Sequence, residues 1–76
     1  MRELVEYLVK SLADHPEDVE LTEQESDDTV ILELKISADD LGKIIGRNGN
    51  TINAIRTVVQ AVASSRKKRA KLEVVG

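Results

Sequence analysis

The chain has 76 residues, no cysteine and a formal net charge of −3. This length predicts one small domain over residues 1–76. The absence of cysteine excludes disulfides and thiolate metal sites, and no run of about 20 apolar residues is present to span a membrane. Because acidic residues interrupt the apolar pattern of the first residues, no signal peptide is predicted and a cytoplasmic location is expected.

The small net charge hides a strong asymmetry. Residues 1–40 hold 13 acidic and 3 basic side chains, a net of −10, whereas residues 41–76 hold 8 basic and 1 acidic, a net of +7. Such asymmetry suggests a face that binds a polyanion opposite an acidic face. Two solvent-exposed surfaces of opposite charge that bind nothing would give the same numbers of acidic and basic residues.

The first predicted element is an amphipathic helix from Met1 to Ala13. One stripe at helical spacing consists of Leu4, Val5, Leu8, Val9 and Leu12. The segment Asp14-His15-Pro16 ends the helix, because the residue before a proline is disfavoured in the α region. His15, the only histidine, lacks a nearby Cys or Ser at a catalytic spacing and is interpreted as a loop residue.

Two strands follow. Val19–Glu25 alternates weakly between apolar and polar residues, Ser26-Asp27-Asp28 is a turn cluster, and Thr29–Ile36 alternates strongly. The two strands are close enough in sequence to form a hairpin.

Two helices and a last strand complete the chain. Ser37 is the predicted N-cap of the first helix, with Asp40 completing a capping box. Its predicted buried residues are Leu41, Ile44 and Ile45. The second helix is predicted to be capped by Asn50 or Thr51. Its stripe is Ile52, Ile55, Val59 and Val62, and it closes in Arg66-Lys67-Lys68-Arg69 before a strand from Lys71 to Val75. The order α-β-β-α-α-β predicts an α+β domain, with three helices on one face of a three-stranded sheet.

The turn Gly46-Arg47-Asn48-Gly49 between the two helices is the candidate site, because glycines let a phosphate approach backbone N–H groups. Glycines at 42, 46 and 49 fit neither the dinucleotide fingerprint nor the phosphate loop of nucleotidases. A DNA-reading helix-turn-helix is disfavoured because the second helix holds a single arginine, Arg56. A plain helical hairpin that binds nothing would show the same glycine pair.

The stretch from Ile44 to Ile52 resembles the core signature of the KH domain, apolar-Ile-Gly-x-x-Gly-x-x-Ile. The order of elements resembles the type II form of that domain. The chain length and the segment Asp14-His15-Pro16-Glu17-Asp18 resemble the small stand-alone bacterial KH proteins of the KhpA type. The resemblance covers essentially the whole chain.

The resemblance implies a site for single-stranded RNA at this turn, since KH loops clamp the backbone of about four nucleotides. Gly46 and Gly49 would allow close approach, while Arg47 and Asn48 would face phosphates. The other implied contacts are charge from Lys43, free N–H groups at Asn50 and Thr51, and apolar contacts from Ile44 and Ile45. The strand Val30–Ile36 would read base edges. The run from Arg66 to Lys71 is either a second phosphate contact or a solvated helix end.

The expected function is therefore non-catalytic RNA binding, as an RNA chaperone or post-transcriptional regulator. The resemblance implies a homodimer, or a heterodimer with a larger Jag-type KH protein. The alternative is a KH-like assembly module that acts at the ribosome or with a larger KH partner. No catalytic constellation, metal set or cofactor motif is recognised, and no membrane partner is expected.

Overall fold

The computed structural model describes residues 1–75, and its helices and strands follow the predicted order. Their bounds are α1 Arg2–Leu12, β1 Glu20–Glu25, β2 Thr29–Lys35, α2 Ala38–Ile45, α3 Asn50–Ser65 and β3 Arg69–Val75. Single 3₁₀ turns occupy Pro16–Asp18 and Arg47–Gly49. The α+β class and the α-β-β-α-α-β order are thus confirmed, and they are those of a type II KH-like fold.

The three strands form one mixed sheet in the order β1-β2-β3. β1 pairs with β2 in antiparallel register, and β2 pairs with β3 in parallel register. The N–H of Arg69 donates to Asp28 O and the N–H of Ile36 donates to Val75 O. In a parallel strand, the backbone N–H and C=O groups of successive residues point alternately to the two sides of the strand. Those of Arg69 and Val75 point to β2, so those of Ala70, Leu72 and Val74 point to the outer edge of β3.

The core lies between the helices and one face of the sheet. Its largest fully buried apolar side chains are Leu32, Leu34, Ile44, Val5, Val9 and Val59. Burying one such side chain contributes roughly 1.5–3 kcal/mol. The alternate residues of β2 and β3 point to solvent on the other face. No helix within residues 1–75 is long and apolar enough to cross a bilayer.

The start of α2 differs from the prediction at one residue. Ser37 is the N-cap as predicted, since its hydroxyl oxygen accepts the N–H of Asp39 at 3.2 Å. The capping box is wrong, because Asp40 is fully buried and its carboxylate accepts the N–H groups of Asp14 and His15, each at 2.9 Å. Asp40 therefore faces the end of α1 and ties that helix to α2.

The burial and bounds of α2 and α3 also differ from the prediction in detail. Ile45 is 36% exposed and so is not part of the buried side of α2. α3 begins directly after Gly49, which stands at the cap position predicted for Asn50 or Thr51. The helix ends at Ser65, and Arg69 already belongs to β3.

Candidate functional site

The loop between α2 and α3 is one tight 3₁₀ turn stabilised by glycine backbone geometry. Gly46 ends α2 with φ 77° and ψ 176°, and its N–H donates to Gly42 O at 2.9 Å. Asn48 and Gly49 also have positive φ, 55° and 77°. The N–H of Gly49 closes the turn on Gly46 O at 3.2 Å. Arg47 and Asn48 are consequently exposed at its tip.

Position 46 requires glycine because there is no room for a Cβ atom, as well as because of its backbone angles. A Cβ atom there would lie 2.3 Å from Thr51 Oγ1 and 2.9 Å from the backbone N of Thr51. At Gly49 the nearest atom to such a Cβ would be Asn53 Nδ2, at 3.4 Å. The backbone of Gly46 thus packs directly on the first turn of α3, and a ligand at the loop also lies near that turn.

The loop combines an exposed cation with the positive end of a helix. Within residues 1–75, Arg47 forms no ion pair. α3 has no side-chain hydrogen bond at its cap, so no side chain competes for the N–H groups of its first turn. N–H groups at such a helix end attract anions. The loop is therefore chemically suited to hold a phosphate group.

The structure brings only some of the predicted site residues to this loop. Lys43 Nζ lies 2.6 Å from Asp14 Oδ2, and the hydrogen bond to Asp14 raises the pKa of Lys43. The side chain of Lys43 is thereby directed to the end of α1. Ile44 is fully buried in the core, while Ile45 is 36% exposed, so Ile45 is the accessible member of this pair. Asn50 is exposed, but its N–H donates to Arg47 O, so the prediction of a free N–H group there is wrong. Thr51 is half-buried against Gly46.

A groove of about 400 Å³ runs between α3 and the outer edge of β3. Arg56 donates from Nε at 3.4 Å and from Nη2 at 3.3 Å to Leu72 O, and Gln60 Nε2 donates to Ala70 O. The side chains of α3 thus reach the backbone groups that β3 directs away from the sheet.

The strand expected to read base edges lies in the middle of the sheet. The segment Val30–Ile36 includes all of β2 except Thr29, and β2 is paired with a strand on each side and has no free edge. The accessible edge beside α3 belongs to β3. Arg56 and Gln60 were not among the predicted site residues, although their spacing of four residues on one flank of α3 was a usable signal.

The basic run from Arg66 to Lys71 lies at the far end of α3 from the loop. Lys68 Nζ contacts Glu25 Oε2 at 2.6 Å and Ser26 O at 3.1 Å, and the hydrogen bond from Lys68 lowers the pKa of Glu25. The 16 residues of α3 separate this run from the loop by about 24 Å. The basic run and Arg47 therefore do not form one continuous face.

The loop after α1 holds a small polar cluster. His15, Glu17 and Asp18 each place a metal-ligand atom within 4.8 Å of the others. His15 Nδ1 lies 3.7 Å from Glu17 Oε1, and the two side chains are 42% and 68% exposed. This exposure agrees with the interpretation of His15 as a loop residue.

Comparison with known proteins identifies the family. The family model described as KhpA/KhpB, KH domain, matches residues 2–74. The chain is 48% identical over 75 residues to the RNA-binding protein KhpA of Clostridium perfringens, covering 99% of this chain and 100% of that protein. It is 44% identical over 75 residues to the proteins of the same name from Listeria monocytogenes and Chlamydia pneumoniae, covering 99% of this chain and 99% and 96% of theirs. No solved structure matches. The chain therefore belongs to the KhpA/KhpB family of KH domains.

Proposed function

We propose that this protein binds single-stranded RNA and catalyses no reaction. The observation that carries the proposal is the loop Gly46–Gly49. It presents Arg47, which forms no ion pair within residues 1–75, beside the N-terminus of α3. The names of the relatives, each an RNA-binding protein, point to the same ligand. A KH loop of this kind holds the backbone of about four nucleotides.

Each loop residue has a defined part in this proposal. Gly46 and Gly49 let the RNA backbone come close to the protein backbone. Arg47 donates charge-assisted hydrogen bonds to phosphate oxygens, and Asn48 donates neutral ones. The N–H of Thr51 supplies a further donor, whereas that of Asn50 donates to Arg47 O. The exposed side chain of Ile45 supplies apolar contact.

Two predicted residues take supporting roles. Lys43 reaches a phosphate only if its ion pair with Asp14 opens. Such an exposed pair is worth about 0–1 kcal/mol, so RNA can compete for this lysine. Ile44 stays in the core and holds α2, and with it the loop, in place.

Binding by one copy of the domain is expected to be modest and only moderately dependent on salt. Stacking on aromatic rings contributes about 1–3 kcal/mol per base in other single-strand binders, but the only aromatic residue here is Tyr7, on α1. With about three phosphates neutralised, the logarithm of affinity falls with the logarithm of salt at a slope of about −2. Such binding suits an RNA chaperone or post-transcriptional regulator in the cytoplasm.

A second KH chain is the proposed protein partner, either another copy or a larger Jag-type protein. In a chain that is 33% charged, α3 has one charged residue, and the exposed residues on its outer side carry no charge. These are Ala54, Thr57, Val58, Ala61 and Ser65. Pairing through this side would place two loops on one assembly and raise affinity by effective concentration.

The test of RNA binding is fluorescence anisotropy with a pool of short single-stranded RNAs at two salt concentrations. The loop variant combines Arg47→Asp with Asn48→Asp. It is expected to fold, because aspartate tolerates the left-handed conformation of Asn48. The control variant combines Lys35→Glu with Gln24→Glu, which changes the net charge equally on the exposed sheet face.

The expected result is loss of binding in the loop variant alone, with circular dichroism showing that every variant is folded. Equal loss in both variants would mean that net charge, and not the loop, governs binding. If the wild type fails to bind at high protein concentration while it still associates with a second KH chain, the assembly-module alternative replaces the proposal.

A further inference from the structure

The loop between α2 and α3 contains a chemically labile dipeptide, Asn48-Gly49. The backbone nitrogen of the residue after an asparagine can attack the amide carbon of that asparagine side chain. Glycine in the following position favours the attack, because it has no side chain to hinder it. The two other asparagines of the chain, Asn50 and Asn53, are followed by residues that carry a Cβ atom. Asn48 is thus the only asparagine of the sequence whose neighbour is unhindered.

Both reacting groups of this dipeptide are accessible in the structure. The side chain of Asn48 is exposed and forms no hydrogen bond within residues 1–75. The N–H of Gly49, which carries the attacking nitrogen, donates to Gly46 O at 3.2 Å, the long end of the usual range of about 2.7–3.2 Å. Asn48 has φ of 55° and ψ of 26°, a left-handed conformation that most residues avoid. The attacking nitrogen is therefore held by one long bond beside a residue in a disfavoured conformation.

We propose that Asn48 is a site of spontaneous deamidation and that this modification weakens the contact of the loop with RNA. The nitrogen of Gly49 bonds to Asn48 Cγ, and its proton passes through solvent to the side-chain nitrogen, which leaves as ammonia. Water then opens the resulting succinimide ring at one of its two carbonyls, giving aspartate or isoaspartate. Water is the only other reactant. The consequence for RNA rests on the proposed function, whereas the chemical step does not.

The surroundings of the loop favour this reaction electrostatically. Attack on Cγ places negative charge on Asn48 Oδ1, and donors or cations near developing charge lower a barrier. Arg47 is the preceding residue and forms no ion pair within residues 1–75. The N-terminus of α3, which has no side-chain hydrogen bond at its cap, also attracts anions. The features that suit the loop to a phosphate therefore also suit it to this anionic intermediate.

The closed turn opposes the reaction and so controls its rate. Ring closure requires the peptide unit between Asn48 and Gly49 to rotate out of the turn, which breaks the bond from Gly49 N–H to Gly46 O. The neighbouring bond from Asn50 N–H to Arg47 O is strained by the same rotation. An RNA backbone held on the loop keeps the turn closed. RNA-bound protein is consequently protected, and free protein is modified.

Either product of the reaction opposes RNA binding at the loop. A carboxylate replaces a neutral donor, so position 48 then repels phosphate groups instead of donating to them. Aspartate tolerates the left-handed conformation of Asn48 and changes charge alone. Isoaspartate also routes the main chain through Cβ, which lengthens the backbone of a tight turn. Modification therefore withdraws free copies of the protein from RNA binding over time.

A conformational role alone would also account for an asparagine at this position. Asparagine is one of the few residues that tolerate the left-handed region, so Asn48 suits the turn even if it is chemically stable. In that case Asn48, Asn50 and Asn53 would be modified at similar, slow rates. The two interpretations are thus separated by the relative rates at three asparagines, measured in the same molecule.

The experiment follows the full chain during incubation at neutral pH, with and without an excess of short single-stranded RNAs. Peptide mapping by mass spectrometry reports the conversion of amide to acid at each asparagine and separates aspartate from isoaspartate. The matched control is Ala54→Gly, which creates a second Asn-Gly dipeptide at Asn53 inside α3. There the attacking backbone nitrogen is held by a helical hydrogen bond.

RNA affinity is measured by fluorescence anisotropy on three samples. These are fresh wild type, the modified fraction of aged wild type isolated by anion exchange, and Asn48→Asp, which reproduces the aspartate product. Circular dichroism establishes that each sample is folded. Aged Asn48→Asp controls for losses of affinity that are unrelated to Asn48.

We expect Asn48 to be modified about tenfold faster than Asn50 and Asn53, including Asn53 of Ala54→Gly, a ratio that about 1.4 kcal/mol of barrier supplies. Excess RNA should slow the modification of Asn48. The modified fraction and Asn48→Asp should each bind RNA about fivefold more weakly than fresh wild type, the factor that about 1 kcal/mol supplies.

Four other outcomes would count against the inference or the proposed function. Similar rates at all three asparagines, or an equally fast rate at Asn53 in Ala54→Gly, overturn the assignment of Asn48 as the labile site. Unchanged affinity of the modified fraction, or no protection by RNA that binds, overturns the link to RNA binding. If fresh wild type binds no RNA, the proposed function and this link are both overturned, while faster modification at Asn48 still supports the modification site.

Discussion

Replacing Gly46 by alanine is expected to destabilise the domain far more than the same change at Gly49. Both glycines have φ of 77°, but their ψ values are 176° and 11°. The first pair of angles is accessible essentially to glycine alone, at a cost of about 1–3 kcal/mol for other residues. The second is the left-handed helical region, which costs about 1–2 kcal/mol.

Space adds a second penalty at Gly46 only. The new Cβ would lie 2.3 Å from Thr51 Oγ1 and 2.7 Å from Thr51 Cβ, whereas favourable contact begins at about 3.5 Å. Forcing the start of α3 aside costs about 1–3 kcal/mol more. The sum is about 2–6 kcal/mol, compared with a total stability of about 4–11 kcal/mol for 76 residues. Gly46→Ala is thus expected to lose a large part of the stability.

Gly42 provides the matched control. It lies inside α2, and a Cβ there would meet no atom within 4 Å, so Gly42→Ala should stabilise the protein by about 0.5–1 kcal/mol. Urea unfolding followed by circular dichroism gives the free energies of unfolding of all three variants. The expected order of stability is Gly42→Ala, wild type, Gly49→Ala, Gly46→Ala. If Gly46→Ala were as stable as Gly49→Ala, the packing of the loop on Thr51 would be refuted.

Three further predictions concern side chains that support the site. Burial raises the pKa of Asp40, but the N–H groups of Asp14 and His15 outweigh it and the net pKa is lowered from 3.8. The ionised carboxylate of Asp40 therefore stabilises the fold above pH 3.8, and this stabilisation is lost as the pH falls through the lowered pKa. Below pH 4, the free energy of unfolding of Asp40→Asn should consequently depend less on pH than that of the wild type. Urea unfolding midpoints across acidic pH measure this difference. Ile44→Ala should cost about 2–5 kcal/mol of unfolding free energy, and Ile45→Ala clearly less because that side chain is 36% exposed; equal losses would contradict the assigned burial. Asp14→Asn should release Lys43 and strengthen RNA binding at low salt while changing stability by less than about 1 kcal/mol; unchanged affinity would place Lys43 outside the RNA site.

The order of the helices and strands could be predicted from apolar periodicity, because each helix and strand has one face in the core and the other in solvent. Strict alternation marked β2, and helical spacing marked α1 and α3. The glycine loop was recognisable for a similar reason, since its positive φ values at Gly46 and Gly49 require the residue type that the sequence shows.

Contacts between elements distant in sequence were not predictable in the same way. The capping box assigned to Asp40 was locally reasonable, but the carboxylate bonds to residues 25 and 26 positions earlier in the chain. The choice between β2 and β3 as the accessible strand depends on strand order, which alternation does not encode. Lys43, likewise, was expected to add charge at the loop, although its ion-pair partner Asp14 lies outside α2, just after α1.

The proposed contact with RNA lies at the loop, where Arg47 meets phosphate groups independently of base sequence. The basic run at the far end of α3 is about 24 Å from the loop, roughly three Debye lengths at physiological salt, and Lys68 there is already paired with Glu25. With a net charge of −3, the protein has little general attraction for a polyanion. In the proposed function, a bound strand is consequently held at the loop and not along the whole length of α3.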